Sequence, residues 1–151
     1  MKNTEPGLLP QVRPAKLDDY DQIATVWSTG GTHFRAEGRD SYESFANQLQ
    51  AFPSSYLVAV DEDRVVGVVL GTHDYRKGWI NRLAVDPRVR RRGVAEALVA
   101  ACETALHDQG MKIITAHVEP NNQASLGLFK KLGYLCDVPV VYLRKLTDPN
   151  A

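Results

Sequence analysis

The chain has 151 residues, 44% of them hydrophobic and 24% charged, with a formal net charge of zero. That suits one soluble globular domain with a sizeable core, and it argues against nonspecific nucleic-acid binding over the whole surface. No apolar run approaches the roughly 20 residues needed to cross a bilayer, so no membrane association is expected.

Residues 1–10 carry prolines and a glycine without periodicity and read as a flexible arm. They lack the apolar core of a secretory signal, so the expected location is the cytoplasm. Residues 11–147 are expected to form the single domain, with 148–151 as a tail. Gln11 to Pro14 suits a short strand. Leu17, Tyr20, Ile23, Val26 and Trp27 recur at helical spacing over Lys16 to Trp27, and Ser28 to Gly31 breaks the pattern. His33 to Arg39 mixes aromatic and charged residues without a chemical pattern, and His33 reads as a surface or interface histidine. A second helix is predicted over Tyr42 to Ala51, with Phe45 and Leu49 inward and Pro53 beyond its end.

Tyr56 to Val60 and Val65 to Leu70 read as two strands joined at Asp61-Glu62-Asp63, an antiparallel hairpin. A polar turn over 72–78 leads to a third strand, Trp79 to Val85, closed by Asp86-Pro87. Then comes the basic run Arg88 to Arg92, followed by Gly93, Val94 and Ala95 and a long amphipathic segment to Gln109. Strand, basic loop with a glycine, helix is an order that makes an anion site. The first N–H groups of a helix have no carbonyl partner within it and lie at the positive end of its dipole. Gly93 lets main chain approach a ligand without a Cβ in the way. The plain alternative is a solvated basic turn.

The helix after this loop places Val94, Ala97, Leu98, Ala101 and Ala105 on one face, and Gly110 stops it. Lys112 to Glu119 is predicted as a strand, Ile113 to Val118, parallel to the one before the helix. Pro120-Asn121-Asn122 opens a further helix with Asn122 at its cap and Ser125, Leu128, Phe129 and Leu132 on the buried stripe. Gly133 ends it. Tyr134 to Cys136 and Val140 to Leu146 read as a closing pair of strands. The two cysteines, Cys102 and Cys136, form no C-x-x-C or His/Cys cluster, so no metal site is expected. Cys102 reads as a small core residue.

Two motifs now stand in order: Leu83-Ala84-Val85-Asp86-Pro87 with Arg90-x-x-Gly93-x-Ala95, and Asn122-x-x-Ser125-x-x-Leu128-Phe129-x-Lys131-x-Gly133-Tyr134. Together they resemble the GCN5-related N-acetyltransferase family, over residues 11–146. The resemblance implies an α/β fold with a mixed, mostly antiparallel sheet of about six to seven strands, about four flanking helices and a splayed central strand pair. It implies transfer of an acetyl group from acetyl-coenzyme A to a primary amine by direct attack in a ternary complex, without a metal. The pyrophosphate would lie on main chain and side chains of Arg90, Arg91, Arg92, Gly93, Val94 and Ala95. The pantetheine arm would pair like an added strand with Leu83, Ala84 and Val85, with Asn122 and Phe129 at its far side. Asn122 can serve as helix cap as well.

Where many family members have a tyrosine that protonates the leaving thiolate, this chain has Phe129. A thiol pKa of about 8.5 lets thiolate leave without a committed acid, and Tyr134 or a water is the alternative donor. For the general base, His117 stands on the strand facing the coenzyme gap, and a histidine's ordinary pKa of about 6.5 suits the role. Glu119 shares its face, and His73, Asp74 and Tyr75 are further candidates. The acceptor is expected to be a small molecule or a protein N-terminus or lysine, and the resemblance leaves room for a homodimer. Competing readings are a regulatory module that binds coenzyme A without catalysis, and a nucleic-acid binder using the arginine run, which lacks interleaved aromatics.

Overall fold

Alternating apolar runs between residues 11 and 85 dictate the architecture. In the computed structural model, which describes residues 9–151, they form four strands of one five-stranded sheet in chain order, and the fifth strand follows later in the chain. The expected N-terminal arm falls mostly outside the described residues. The strands are β1 (Gln11–Pro14), β2 (Tyr56–Asp61), β3 (Arg64–His73), β4 (Gly78–Val85) and β5 (Ile114–Ala116). β1 to β4 pair antiparallel, and β5 joins β4 in parallel.

The helices are α1 (Tyr20–Thr29), α2 (Tyr42–Ala51), α3 (Val94–Asp108) and α4 (Gln123–Lys131). A short 3-10 turn, Leu17–Asp19, leads into α1, which therefore starts later than the spacing predicts. The cause is local: Asp19 accepts from the Lys16 N–H at 2.8 Å and from the Arg13 guanidinium at 2.8 Å, which fastens the turn to β1. Burial opposes ionisation of Asp19, but Arg13 and the Lys16 amide outweigh it and lower its pKa.

β3 is buried from Val65 through Gly71 because both faces of the sheet are covered. One face packs Tyr56, Val58, Val68 and Leu70 against Ile23, Val26, Trp27 and Phe45 of α1 and α2. The other packs Leu57, Ala59, Val66 and Val69 against Val94, Leu98, Val99, Cys102 and Leu106 of α3. Val65 and Val68 share a face because the β2–β3 register shifts there by one residue. The buried stripe of α3 thus runs through its bulky residues, while Ala97, Ala101 and Ala105 lie at its margin, half-buried. α3 sits tight on β3: a Cβ at Gly71 would meet Cys102 Sγ at 2.7 Å. Burial lifts the Cys102 thiol pKa to about 12, so it is an inert core group.

The sheet has fewer strands than expected. Tyr134 to Cys136 and Val140 to Leu146 form no strand, and every residue from 135 to 151 is exposed. Strand composition alone did not join them to the sheet, because a strand needs a paired neighbour as well as β-branched residues. In α4 only Phe129 is buried, while Ser125 and Leu128, like Leu132 just beyond the helix, are half-buried.

Leu98 is completely buried between α3 and the sheet. Leu98→Ala is expected to lower unfolding free energy by about 2–5 kcal/mol, as core truncations that leave a cavity do. Urea denaturation should show a lower midpoint with an unchanged slope.

Candidate active site

The site begins where two strands part. β4 and β5 pair at Gly78↔Ile114, Trp79↔Thr115 and Ile80↔Ala116, and then no further. Beyond that point β4 carries a bulge. Val68 pairs with Ala84 and Leu70 with Asn81, so three steps on β4 oppose two on β3. The extra length is taken up at Arg82, whose φ of 57° is left-handed. Arg82 is held there from several sides. Its guanidinium lies 4.5 Å from the Trp27 ring centroid, Nη1 donates to the His33 carbonyl at 2.9 Å, and Nη2 is 3.0 Å from Asp40 Oδ1. Burial lowers its pKa, and Asp40 opposes that effect.

The gap opens into a cleft of about 1120 Å³. Asn81, Arg82, Leu83, Ala84 and Val85 form one wall; Ala116, His117, Val118 and Glu119 form the other. α4 supplies Ser125, Leu128 and Phe129 to the floor, and Asn122 stands at its cap with Oδ1 accepting from the Ser125 N–H at 3.1 Å. At one end lies the start of α3, with Arg90, Arg91, Gly93, Val94 and Ala95 on the wall.

That helix end is built from main chain. Gly93 is its N-cap with φ 77°, no side chain caps it, and Arg91 two residues earlier has φ 65°. Left-handed residues next to a helix start turn successive N–H groups toward one point, an anion nest. The arginine side chains are engaged more than the sequence suggests. Arg88 pairs with Asp86 at 2.7 Å and Arg92 with Asp61 at 3.0 Å. Arg90 lines the cleft while donating to the Gly30 carbonyl at 3.0 Å. Arg92 is thus aimed away from the cleft wall, and Arg90 and Arg91 are the members of the run without an ion pair among the described residues.

The other predicted residues divide clearly. His117 and Glu119 reach the cleft and are exposed; the His117 ring is 4.8 Å from Trp79 and 6.1 Å from Tyr142. Phe129 is on the wall. Tyr134 is not: it packs edge-on against Phe129 at 4.9 Å, and its buried hydroxyl has no hydrogen-bond partner among the described residues. Burial, with Glu103 nearby, raises its pKa, so it resists ionisation. His73, Asp74 and Tyr75 lie in the β3–β4 turn, off the cleft wall, where Asp74 Oδ1 accepts from the Arg76 and Lys77 amides. His33 and Arg39 do line the cleft. The polar pair Asn81-Arg82 inside an apolar strand was the sequence signal for the bulge and went unread.

Three comparisons bear on this geometry. Residues 20–134 match the family described as Acetyltransferase (GNAT) family. The chain belongs to that family. An acetyltransferase of Photorhabdus laumondii is 31% identical over 124 residues, covering 82% of this chain and 85% of that protein. Among solved structures, Ard1 from Thermoplasma volcanium superposes with a TM-score of 0.76 at 23% identity, covering 85% of this chain and 84% of that one. AAC(6')-Iy in complex with a bisubstrate analogue, CoA-S-monomethyl-acetylneamine, gives 0.75 at 18% identity, covering 93% and 99%. These two share the fold. This GNAT protein is accordingly an acyl-coenzyme-A-dependent acetyltransferase.

The loop of this GNAT domain is fastened by Asp86. Its N–H donates to the Val66 carbonyl at 2.8 Å, and its carboxylate accepts from the Arg88 amide and guanidinium. Hydrogen bonds from Arg88 hold its pKa down to about 2. A carboxyl with a lowered folded-state pKa contributes stability that is present above its unfolded value of about 3.9, and that is lost as pH falls through the folded value. Between pH 5 and pH 2, stability measured by urea titration is therefore expected to fall more steeply in the parent than in Asp86→Asn. Equal slopes would show that the Arg88 contact does not control Asp86 ionisation.

Proposed function

We propose that this protein moves an acetyl group from acetyl-coenzyme A to a primary amine by direct attack, both substrates being bound together. The observation that carries this reading is the parting of β4 and β5 after Ile80 and Ala116, with the uncapped start of α3 at one end of the gap. In this reading the amides from Arg91 to Ala95, with Arg90 and Arg91, bind the pyrophosphate. The gap-facing edge of Leu83, Ala84 and Val85 hydrogen-bonds the pantetheine arm as a neighbouring strand would. One of those amides, at Leu83 or Val85, polarises the thioester carbonyl. Asn122, already capping α4, steadies the arm from the opposite side.

The acceptor enters from the end lined by His33, Arg39, Arg82, His117 and Glu119. An amine attacks only when neutral, and a lysine-type amine has a pKa near 10.4. His117, exposed on the cleft wall, takes that proton directly or through water, with Glu119 as second choice. Phe129 has no hydroxyl and the Tyr134 hydroxyl lies behind it, so the thiolate leaves without a side-chain acid and takes its proton from water. Phe129 also favours a second reading, in which the domain binds coenzyme A and regulates a partner without catalysis. Thiol release in the presence of a panel of amines separates the two.

Calorimetric titration with coenzyme A tests the anion site. Asn tolerates left-handed φ and is close to Asp in shape, so the pair isolates charge from strain at Gly93. Gly93→Asp is expected to weaken binding by about 100-fold and Gly93→Asn by about 10-fold or less, since only the carboxylate repels pyrophosphate. Equal binding by Gly93→Asp and the parent would remove the assignment.

For the base, the chemical step in His117→Ala is expected to slow by about 10²-fold or more. Its rise from acid to neutral pH should flatten, because the group that must lose a proton is gone. An unchanged pH profile would transfer the role to Glu119 or to solvent.

A further inference from the structure

The two sides of the cleft differ in charge around the Arg82 bulge. The connection between α1 and α2 lies along β4. A Cβ at Gly30 would meet the Val85 carbonyl oxygen at 3.4 Å, and the His33 carbonyl accepts from Arg82 Nη1 at 2.9 Å. Residues 30–33 therefore follow β4 from Val85 back to the bulge. There Asp40 comes in against Arg82, with Arg39 beside it in the chain.

Asp40 is committed to the fold. It is 6% exposed, its Oδ1 lies 3.0 Å from Arg82 Nη2, and its Oδ2 accepts from the Arg35 N–H at 2.8 Å. That carboxylate balances one positive charge, the charge of Arg82. Arg39 adds a second. It lines the cleft, is exposed, and has no ion pair among the described residues. The two guanidinium groups feel each other: burial lowers the Arg82 pKa, and the Arg39 charge pushes it the same way. Glu37, the other acid of this connection, is off the cleft wall. Across the gap stand His117 and Glu119, both exposed, and Glu119 has no ion pair among the described residues.

Like charges side by side in a cleft draw an anion and repel a polycation. A guanidinium fork matches a carboxylate. Size is restricted as well. Tyr142 of the arm after α4 lies 6.1 Å from His117, and a Cβ at Gly38 would lie 2.9 Å from the Asn150 carbonyl oxygen. An arm that reaches both sides leaves room for a small acceptor and hinders a folded protein.

Given acetyl transfer to a primary amine, on which the assignment rests, we infer that the acceptor is a free amino acid, with its carboxylate on Arg39 and its amine facing His117 and Glu119. A zwitterion meets both walls at once. The ammonium gives one proton to His117. The nitrogen then bonds to the acetyl carbon as the C–S bond breaks, the nitrogen sheds a second proton, and the thiolate takes one from water. The products are an N-acetyl amino acid, coenzyme A thiol and one net proton.

Thiol release from acetyl-coenzyme A tests this with L-amino acids and straight-chain ω-amino acids, each beside its carboxamide. Spermidine and a peptide amide beginning with Asp are further acceptors. The best acid is expected to exceed its amide by about 10- to 100-fold in kcat/KM, because the amide leaves the guanidinium without a charged partner. Arg39→Gln should bring acid and amide level, mainly by raising KM for the acid. Arg39→Lys should restore part of the difference, and Arg39→Glu should favour spermidine. Circular dichroism and melting temperature report separately whether each variant is folded. An amide equal to its acid, a ratio indifferent to Arg39→Gln, or spermidine or the peptide as the best acceptor of the parent would overturn the inference and leave acetyl transfer standing. No thiol release with any amine would instead overturn acetyl transfer itself, and the amino-acid acceptor with it.

Discussion

The geometry of this protein depends on one constraint: β4 cannot stay paired with β5 beyond Ile80. The extra residue at Arg82 twists β4 away, and β5 has only three paired residues with which to follow. A left-handed arginine in a strand is costly, by about 1–3 kcal/mol for such backbone conformations. It persists because the Trp27 face, the His33 carbonyl and Asp40 fix its guanidinium. These partners come from α1 and from the segment before α2. The helices that pack one face of the sheet therefore also hold open the gap at its centre. The cleft is a consequence of core packing and not an addition to it.

Charge at the mouth of the cleft follows a similar logic. The arginine run looks like the anion site, yet Arg88 and Arg92 are bound to carboxylates and shape the loop. What remains for the proposed pyrophosphate site is mostly main chain: the amides at the start of a 15-residue helix, turned together by Arg91 and Gly93. Amides fixed by the backbone need no reorganisation when an anion arrives, whereas long arginine side chains lose rotamer freedom. The ion pairs beneath the loop hold that arrangement in place.

Most of the fold was legible in the sequence because its signals are local. α2, the β2–β3 hairpin, β4, α3 and the loop between them follow from periodicity, from Gly93 and from Asp86-Pro87. The strand, helix, strand order gave the parallel β5, the two family motifs gave the residues of the cleft, and Leu83 to Val85, Gly93, Asn122 and Phe129 all line it. What the sequence hid is relational. A bulge exists only against a partner strand, so Arg82 reads in the sequence simply as part of the strand Trp79 to Val85. Whether Arg92 faces a ligand depends on Asp61, 31 positions away. Tyr134 closes the second motif, but the turn after α4 packs it against Phe129 and off the cleft wall. The closing strands failed for the same reason: valines at 140 and 141 record a propensity, and a strand exists only where a partner is hydrogen-bonded to it.

That last point joins the site to the edge of the sheet. β5 is a three-residue strand fixed by its pairing to β4, by the Gly78 N–H to the Ile113 carbonyl and by Thr115 Oγ1 to the Gly78 carbonyl. All of these lie at the closed end of the gap. Past Ala116 the chain carrying His117 and Glu119 has no strand on either side among the described residues. Parting two strands exposes both inner edges, and in the proposed reading a substrate arm shaped like a peptide occupies one of them.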